Sequence, residues 1–320
     1  MGNGAPPYRR PRAVARGERR EDRRRGLRRG QHSLDRPVDG GALSELLKPQ
    51  GLTAEGQCFP KTVDDLKPVL EIASEFPLHH LDIQPDVRPR RIDDCLPLLE
   101  GWMRLAEEVD FPVYVETHRD RMTTDLYFVL DLLDRMPELP LLADLSHFLV
   151  WREFAYPVTE ENHRLMERIL DSSWALHGRV ASREQVQIEV SFPAHRTWVE
   201  LFEQWWTYGF ASWGRRSAVD ATLAFTCELG PKLYAIVGPD GNDTTDRWAE
   251  SLQLRDLARR LWRACSETPA RQEPWTVWQH CPQVCLAKRA ALDDGCWRGR
   301  LLRRRRNRRL LSDGIEETRR

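Results

Sequence analysis

The stretch that decides the fold covers residues 111–151 and reads FPVYVETHRDRMTTDLYFVLDLLDRMPELPLLADLSHFLVW. It holds two short apolar runs, at residues 113–115 and 139–143, separated by a segment with apolar residues at helical spacing. Short continuous apolar runs are typical of buried parallel strands, and a helix between two of them makes a β-α-β unit. The stretch therefore predicts a strand, a helix over residues 123–136 and a second strand.

Polar side chains follow both predicted strands at the point where each strand ends. Glu116, Thr117 and His118 come after the first strand, and Asp144 and His147 come at the end of the second. The carboxyl ends of parallel strands meet at one edge, and in a β/α barrel this edge carries the chemistry. The stretch therefore places carboxylates and imidazoles where an active site is expected.

The same alternation of strands and helices continues on both sides of this unit. We predict further strands at residues 52–58, 79–84, 174–180 and 223–227, and helices at 42–47, 63–76, 92–109, 160–170, 195–209 and 246–264. This order favours a parallel α/β fold with right-handed crossovers. A doubly wound sheet would usually show a glycine-rich phosphate turn after its first strand, and none is present, so we predict a (β/α)8 TIM-type barrel.

The composition sets limits on the environment and on the partners. Lysine and arginine number 49, as do aspartate and glutamate, so the formal net charge is zero and gives no general attraction to nucleic acid or membrane. No apolar run has the length of a membrane span, and the first residues lack the apolar segment of a signal peptide. The seven cysteines are odd in number and scattered, which indicates a reducing, cytoplasmic setting.

The two ends of the chain differ from its middle. Residues 1–37 are rich in arginine, glycine and proline, and residues 266–320 lack periodicity and contain arginine runs. Such composition is typical of disordered segments, so we predict basic tails around a barrel at residues 38–265. Apart from Tyr8, the leader lacks the interleaved aromatic residues of nucleic-acid-binding segments, and we do not expect nucleic acid as a partner.

Four residues at or just past strand ends form the candidate site, namely Glu116, Asp144, His177 and Glu228. Any one of them alone is typical of a helix cap or a surface charge. Four successive strands that end in this way predict a common mouth with carboxylate and imidazole ligands, which suits one Mn²⁺, Mg²⁺, Co²⁺ or Zn²⁺ ion.

Three further residues are candidates for contact with a substrate. His147 lies three positions after Asp144, one turn of backbone further over the same mouth. Arg179 and Arg183 follow His177 and can bind an oxyanion or a hydroxyl group.

These residues lie in segments that resemble the xylose isomerase-like TIM barrel superfamily, which includes the sugar phosphate isomerase/epimerase family. The segments are VYVETHRDR (113–121), LLADLSHFLVWRE (141–153), ALHGRV (175–180) and FTCELGPKLY (225–234), with LTAEGQC (52–58) and HLDIQP (80–85) before them. Together they cover about residues 38–265. Each motif is short, and it is their order and spacing that make the resemblance specific to the superfamily rather than to one activity.

The resemblance implies a site and a reaction. The last four strands of such a barrel supply a Glu, an Asp, a His and a Glu to one divalent metal ion, which here would be Glu116, Asp144, His177 and Glu228. The resemblance also gives substrate contacts to His147 and to Arg183 or Arg179. The implied reaction is isomerisation or epimerisation of a sugar, sugar phosphate or polyol ketone through an enediolate, with Glu116 and Glu228 as acid and base.

The chain departs from the family pattern at its beginning. If Glu228 ends strand eight, residues 52–58 form strand three, and strand two is a remnant near residues 38–41. Strand one has no candidate in the arginine-rich leader. We therefore expect an incomplete barrel with exposed strand edges.

Several alternatives stay open. The same superfamily contains dehydratases, and it contains DNA-repair (AP) endonucleases whose three zinc ions need an Asp-x-His motif that does not occur between His177 and Glu228. A further alternative is a catalytically inactive, degenerate barrel whose basic tails bind an acidic partner. For the enzyme, we expect a small carbohydrate as substrate and no membrane partner, and the sequence leaves a homo-oligomer open.

Overall fold

The structure is a computed structural model that describes residues 32–33, 45, 47, 49, 51–218, 220–230 and 234–267. The sequence predicted a disordered leader at residues 1–37, and within it the structure describes only residues 32–33, which form a short strand. The predictions for a strand near residues 38–41 and for the basic tail after residue 267 lie outside the described residues, as does most of the short helix at 42–47. Among the helices in the described part of the chain, none combines the length and the apolar character that a membrane-spanning segment requires.

Seven parallel strands form one sheet in which each strand pairs with its neighbours in chain order. They are β1 (His32–Ser33), β2 (Ala54–Cys58), β3 (Leu78–Ile83), β4 (Val113–Glu116), β5 (Leu141–Ala143), β6 (Ser173–His177) and β7 (Ala224–Thr226). Parallel neighbours in sequence order are the arrangement of a β/α barrel.

Helices connect the strands from β2 onward. They are α1 (Val63–Ala73), α2 (Ile92–Ala106), α3 (Leu126–Arg135), α4 (Leu145–Trp151), α5 (Glu160–Asp171), α6 (Arg196–Arg216) and α7 (Arg247–Glu267), with a 3-10 turn at Pro193–His195. Side-chain caps define several helix starts: Thr62 and Asp65 form a reciprocal capping box on α1, and Asp125 accepts a hydrogen bond from the amide of Phe128 on α3.

The sheet curls around a common interior. Glu55 on β2 contacts His177 on β6 and Thr226 on β7, although β2 is separated from both strands within the sheet. Such contacts are possible only if the inward-facing side chains of the first and last long strands point toward one another. The expected incomplete TIM-type barrel is therefore confirmed.

The apolar core lies between the sheet and the surrounding helices. Its largest fully buried side chains include Trp102, Trp205, Trp206, Phe202 and Phe210. Most of the tryptophans in this set belong to α6, which packs against α5 and α7. The aromatic residues of this helix therefore serve packing, as the helical spacing of the sequence indicates.

Most predicted elements shift by a few residues at their ends, and two helices differ more clearly from the prediction. The helix predicted at residues 195–209 continues to Arg216, because Gly209 does not end it: a Cβ at this position would lie 2.8 Å from Leu170, so the glycine permits close packing on α5. Helix α4 was not predicted, since its start coincides with the polar residues after β5. Asp144 caps this helix through the amide of Ser146.

Candidate metal centre

The four predicted ligands lie together at the carboxyl ends of the strands. Glu116 is the last residue of β4, Asp144 follows β5, His177 is the last residue of β6, and Glu228 lies two residues after β7. The side chains of the first three are fully buried, and that of Glu228 is 14% exposed. One potential ligand atom of each lies within 4.8 Å of the corresponding atoms of the others. The curled sheet thus gathers four separate strand ends into one cluster.

One polar atom of each residue is directed into the cluster. His177 Nδ1 lies 2.9 Å from Glu228 Oε2 and 3.4 Å from Glu116 Oε1. The inward atoms are His177 Nδ1, Glu116 Oε1, Asp144 Oδ2 and Glu228 Oε2, and none of them makes a hydrogen bond within the described residues. Buried polar atoms normally have partners, so four such atoms facing one point favour a ligand between them.

The other polar atom of each carboxylate is held by a neighbouring group. Gln84 Nε2 donates a hydrogen bond to Glu116 Oε2 at 2.5 Å. The amide and hydroxyl of Ser146 both donate to Asp144 Oδ1, at 2.9 and 2.5 Å. Arg179 Nη2 contacts Glu228 Oε1. Metal ligands are commonly oriented by partners of this kind.

The second nitrogen of His177 is held in the same way. Its Nε2 lies 2.8 Å from Glu55 Oε1. Each of the four residues therefore has one atom held from outside and one atom directed at the centre, although the inward Oδ2 of Asp144 also lies 3.1 Å from Arg179 Nε. Three carboxylate oxygens and one imidazole nitrogen form a donor set that fits Mn²⁺, Mg²⁺, Co²⁺ or Zn²⁺.

Buried charges shift the pKa values of these groups. Burial raises the pKa of Asp144 to about 7, although Arg179 acts in the opposite direction. Burial alone would raise the pKa of Glu228, but Arg179 and His177 outweigh it and lower the pKa. Burial would lower the pKa of His177, but the surrounding carboxylates, with Glu55 first, raise it well above its usual value. The cluster is thus a set of strongly interacting charges.

His147 lies beside this cluster on α4. Its side chain is fully buried, and neither ring nitrogen makes a hydrogen bond within the described residues. Its ring lies 3.9 Å from that of His118, centroid to centroid, and its Nε2 is 3.4 Å from Asp144 Oδ2. Burial lowers the pKa of His147 well below its usual value, so the ring is neutral and can accept or donate a hydrogen bond.

The sequence left Arg179 and Arg183 as alternatives, and the structure places them in different surroundings. Arg179 is 1% exposed, with Nε 3.1 Å from Asp144 Oδ2 and its guanidinium 4.7 Å from the ring of Tyr234. Arg183 is 45% exposed and pairs with Glu153 at 3.3 Å. Only Arg179 is part of the cluster.

Sequence reasoning missed the residues that surround the ligands. These are Glu55, His80, Asp82 and Gln84, while His118 was placed at the strand end but given no role. The signal for most of them was present, because polar residues occupy alternate positions at 55 and 57 on β2 and at 80, 82 and 84 on and after β3. Alternate positions of a strand face the same side, so this pattern indicates a polar barrel interior.

Two solved structures resemble this fold. One is the IOLI protein, solved with a bound zinc atom, at a TM-score of 0.44 and 9% sequence identity over 68% of this chain and 80% of that chain. The other is the probable 3-DHS dehydratase AsbF of Bacillus anthracis, involved in petrobactin synthesis. Its TM-score is 0.39, with 11% sequence identity over 67% of this chain and 79% of that chain. No protein-family model and no curated protein matches the sequence. At these scores and identities the two structures assign neither a family, a reaction nor a metal to this chain.

Proposed function

We propose that this chain is a divalent-metal-dependent isomerase or epimerase that acts on a sugar, a sugar phosphate or a polyol ketone. The observation that carries the proposal is the set of four inward atoms, from Glu116, Asp144, His177 and Glu228, that lack hydrogen bonds while their other polar atoms are held. These four residues are the proposed metal ligands.

A divalent ion at this position would supply Lewis-acid stabilisation of the negative charge that develops on substrate oxygens. Glu116 and Glu228 approach the site from strands on opposite sides of β6. Both have lowered pKa values, because His177 acts on each against the effect of burial and Arg179 acts on Glu228 as well, so both are ionised and able to accept a proton. In the proposed reaction one carboxylate removes a proton from the carbon beside the carbonyl, and it can return that proton as the resulting carboxylic acid. Delivery from the opposite face falls to the other glutamate, which must first take up a proton from water.

The place where the proton returns sets the outcome. Return to the opposite face of the same carbon is epimerisation, and return to the neighbouring carbon is isomerisation. General acid–base catalysis of this kind contributes about 10²–10⁴-fold to a rate. His147 supplies a neutral hydrogen-bonding ring for a substrate hydroxyl, and Arg179 supplies a buried positive charge beside the reacting oxygens.

The proposed compartment is the cytoplasm, on the strength of the odd and scattered cysteines. The proposed partner is a small carbohydrate-like molecule. Hydroxyl-rich substrates suit a mouth lined by carboxylate, imidazole and guanidinium groups, because each of these makes directed hydrogen bonds.

Elemental analysis of the purified chain tests the proposal, together with Glu228→Gln and a control, Glu153→Gln, whose side chain is 71% exposed and outside the cluster. We expect about one divalent ion per wild-type or control chain and a loss of that ion in Glu228→Gln. A chain that binds no metal after addition of Mn²⁺ would overturn the proposal.

A panel of ketoses and inososes then tests the reaction, with mass spectrometry of the products. An isomer of unchanged mass supports isomerase or epimerase activity. A product lighter by one water identifies a dehydratase instead. A metal-loaded protein that converts no member of the panel would favour the inactive, degenerate barrel.

A further inference from the structure

The side chain of Glu55 crosses the barrel interior to reach the candidate metal centre. Glu55 is the second residue of β2, and its Oε1 lies 2.8 Å from Nε2 of His177 on β6. Three strands separate β2 from β6 within the sheet, so the contact spans the interior rather than a pair of neighbouring strands. His177 is fully buried, and the side chain of Glu55 is 12% exposed.

The other carboxylate oxygen of Glu55 has one hydrogen bond and one longer contact. The hydroxyl of Thr226, on β7, donates a hydrogen bond of 2.5 Å to Oε2. His80 Nε2, on β3, lies 3.4 Å from the same oxygen, and its side chain is 1% exposed. The carboxylate therefore contacts residues from three different strands, and only its Oε1 is directed at His177.

The opposite side of the imidazole faces the metal ligands. His177 Nδ1 lies near Glu228 Oε2 and Glu116 Oε1, at 2.9 and 3.4 Å. A neutral imidazole donates through one nitrogen and offers a lone pair on the other, and the hydrogen bond at the first nitrogen decides which one is free.

We propose that Glu55 is the positioning residue of the metal centre: it accepts the Nε2–H of His177 and so presents Nδ1 to the ion. This inference rests on the proposed function, since it requires a metal at Glu116, Asp144, His177 and Glu228. Glu55 is not one of the four proposed ligands. It selects the ligating nitrogen and holds the plane of the ring.

The position of Glu55 argues against a purely structural role. A carboxylate inside a barrel loses its hydration, and an apolar side chain of similar volume would fill the same space without that loss. Thr226 and His80 offset part of the loss, but neither uses Oε1. The contact of Oε1 is with a predicted ligand, which is the arrangement found around metal-binding histidines.

The test compares Glu55→Gln with wild type in the Zn²⁺-loaded protein. Glutamine keeps the shape of the side chain but removes its charge, and its amide can either donate or accept. Nitrogen-15 NMR of labelled histidines reports which ring nitrogen binds zinc and which carries a proton, and the His177 signal is identified by its absence from His177→Gln. We expect Nδ1 ligation with a protonated Nε2 in wild type. In Glu55→Gln we expect a mixture of ligation states and Zn²⁺ binding weaker by about 10–100-fold.

Two other variants separate this role from general stability. Thr226→Val removes the hydrogen bond to Oε2 and leaves the Oε1 contact, so Nδ1 ligation should persist. Glu189→Gln changes a fully buried carboxylate that pairs with Arg247 and lies outside the centre, and Zn²⁺ affinity should not change.

The outcomes distinguish the two proposals. Wild type that binds Zn²⁺, with unchanged affinity and unchanged Nδ1 ligation in Glu55→Gln, would overturn the role of Glu55 and leave the proposed function standing. Wild type that binds no Zn²⁺ would overturn the proposed function and, with it, the positioning role. Equal losses of Zn²⁺ affinity in Glu55→Gln and Glu189→Gln would also count against a specific role of Glu55.

Discussion

The guanidinium of Arg179 lies against the carboxylate of Asp144, with Nε 3.1 Å from Oδ2 and both side chains buried. Arg179 also contacts Glu228, so one positive charge serves two of the proposed metal ligands. The arginine therefore offsets part of the negative charge that three clustered carboxylates bring into the barrel. A buried cluster of this kind depends on each partner, because removal of one leaves the others without compensation.

The first prediction concerns the loss of this charge. Arg179→Met should lower the free energy of unfolding of the metal-free protein by about 3–5 kcal/mol, because Asp144 and Glu228 lose their buried counter-charge. Urea unfolding measures the change. Arg183→Met is the matched control. Because Arg183 is 45% exposed, this substitution should change the free energy of unfolding by no more than about 0.5 kcal/mol. Equal effects of the two substitutions would contradict the placement of Arg179 in the cluster.

The second prediction concerns the orientation of Glu116. Gln84→Leu removes the hydrogen bond of 2.5 Å to Glu116 Oε2 and should weaken divalent-metal binding by about 10–100-fold, because the carboxylate becomes free to rotate. Isothermal titration with Mn²⁺ measures the affinity. Gln57→Leu is the control, since Gln57 is also buried but donates to Asp82, which is not a proposed ligand. If Gln84→Leu binds Mn²⁺ as wild type does, Gln84 does not orient the ligand.

The third prediction tests the packing beneath the site. A Cβ on Gly178 would lie 2.3 Å from the ring of Phe225, so Gly178→Ala should cost about 1–3 kcal/mol of stability through forced movement of that ring. Among the described residues, and apart from its own helix backbone and chain neighbours, Gly214 on α6 has no atom within 4 Å of its Cβ position, and Gly214→Ala should instead stabilise the helix by about 0.5–1 kcal/mol. Thermal or urea unfolding should therefore show a lower free energy of unfolding for Gly178→Ala and a higher one for Gly214→Ala. Changes of the same sign in both variants would contradict this packing.

The fourth prediction concerns pH. Burial, with a smaller effect of His80, lowers the pKa of His79 to about 4, whereas an unfolded histidine titrates near about 6.5. The unfolded chain therefore binds more protons between these values, and stability falls as the pH decreases from about 6.5 to 4. The contribution of His79 is at most about 3 kcal/mol. Urea unfolding at pH 7 and pH 5 should show a smaller decrease in His79→Gln than in wild type, and an identical decrease would exclude this role.

The alternation of strands and helices was readable from local sequence. Residues 113–115 and 139–143 predicted β4 and β5, although β5 begins two residues later, at Leu141. Apolar spacing predicted α3, and the position of Asp144 after an apolar run predicted a polar strand end. These features depend on residues within a few positions of one another, which is why periodicity detects them.

The sequence by itself determined the parallel α/β alternation and the four strand ends that carry Glu116, Asp144, His177 and Glu228. Only the tertiary structure decided that Glu55 meets His177, at a separation of 122 residues, and that Arg179 rather than Arg183 belongs to the cluster. The physical reason is that both facts depend on the curl of the sheet and on side-chain direction at its rim. Local periodicity specifies which face of a strand a residue occupies, but not which distant strand that face meets once the sheet has curled.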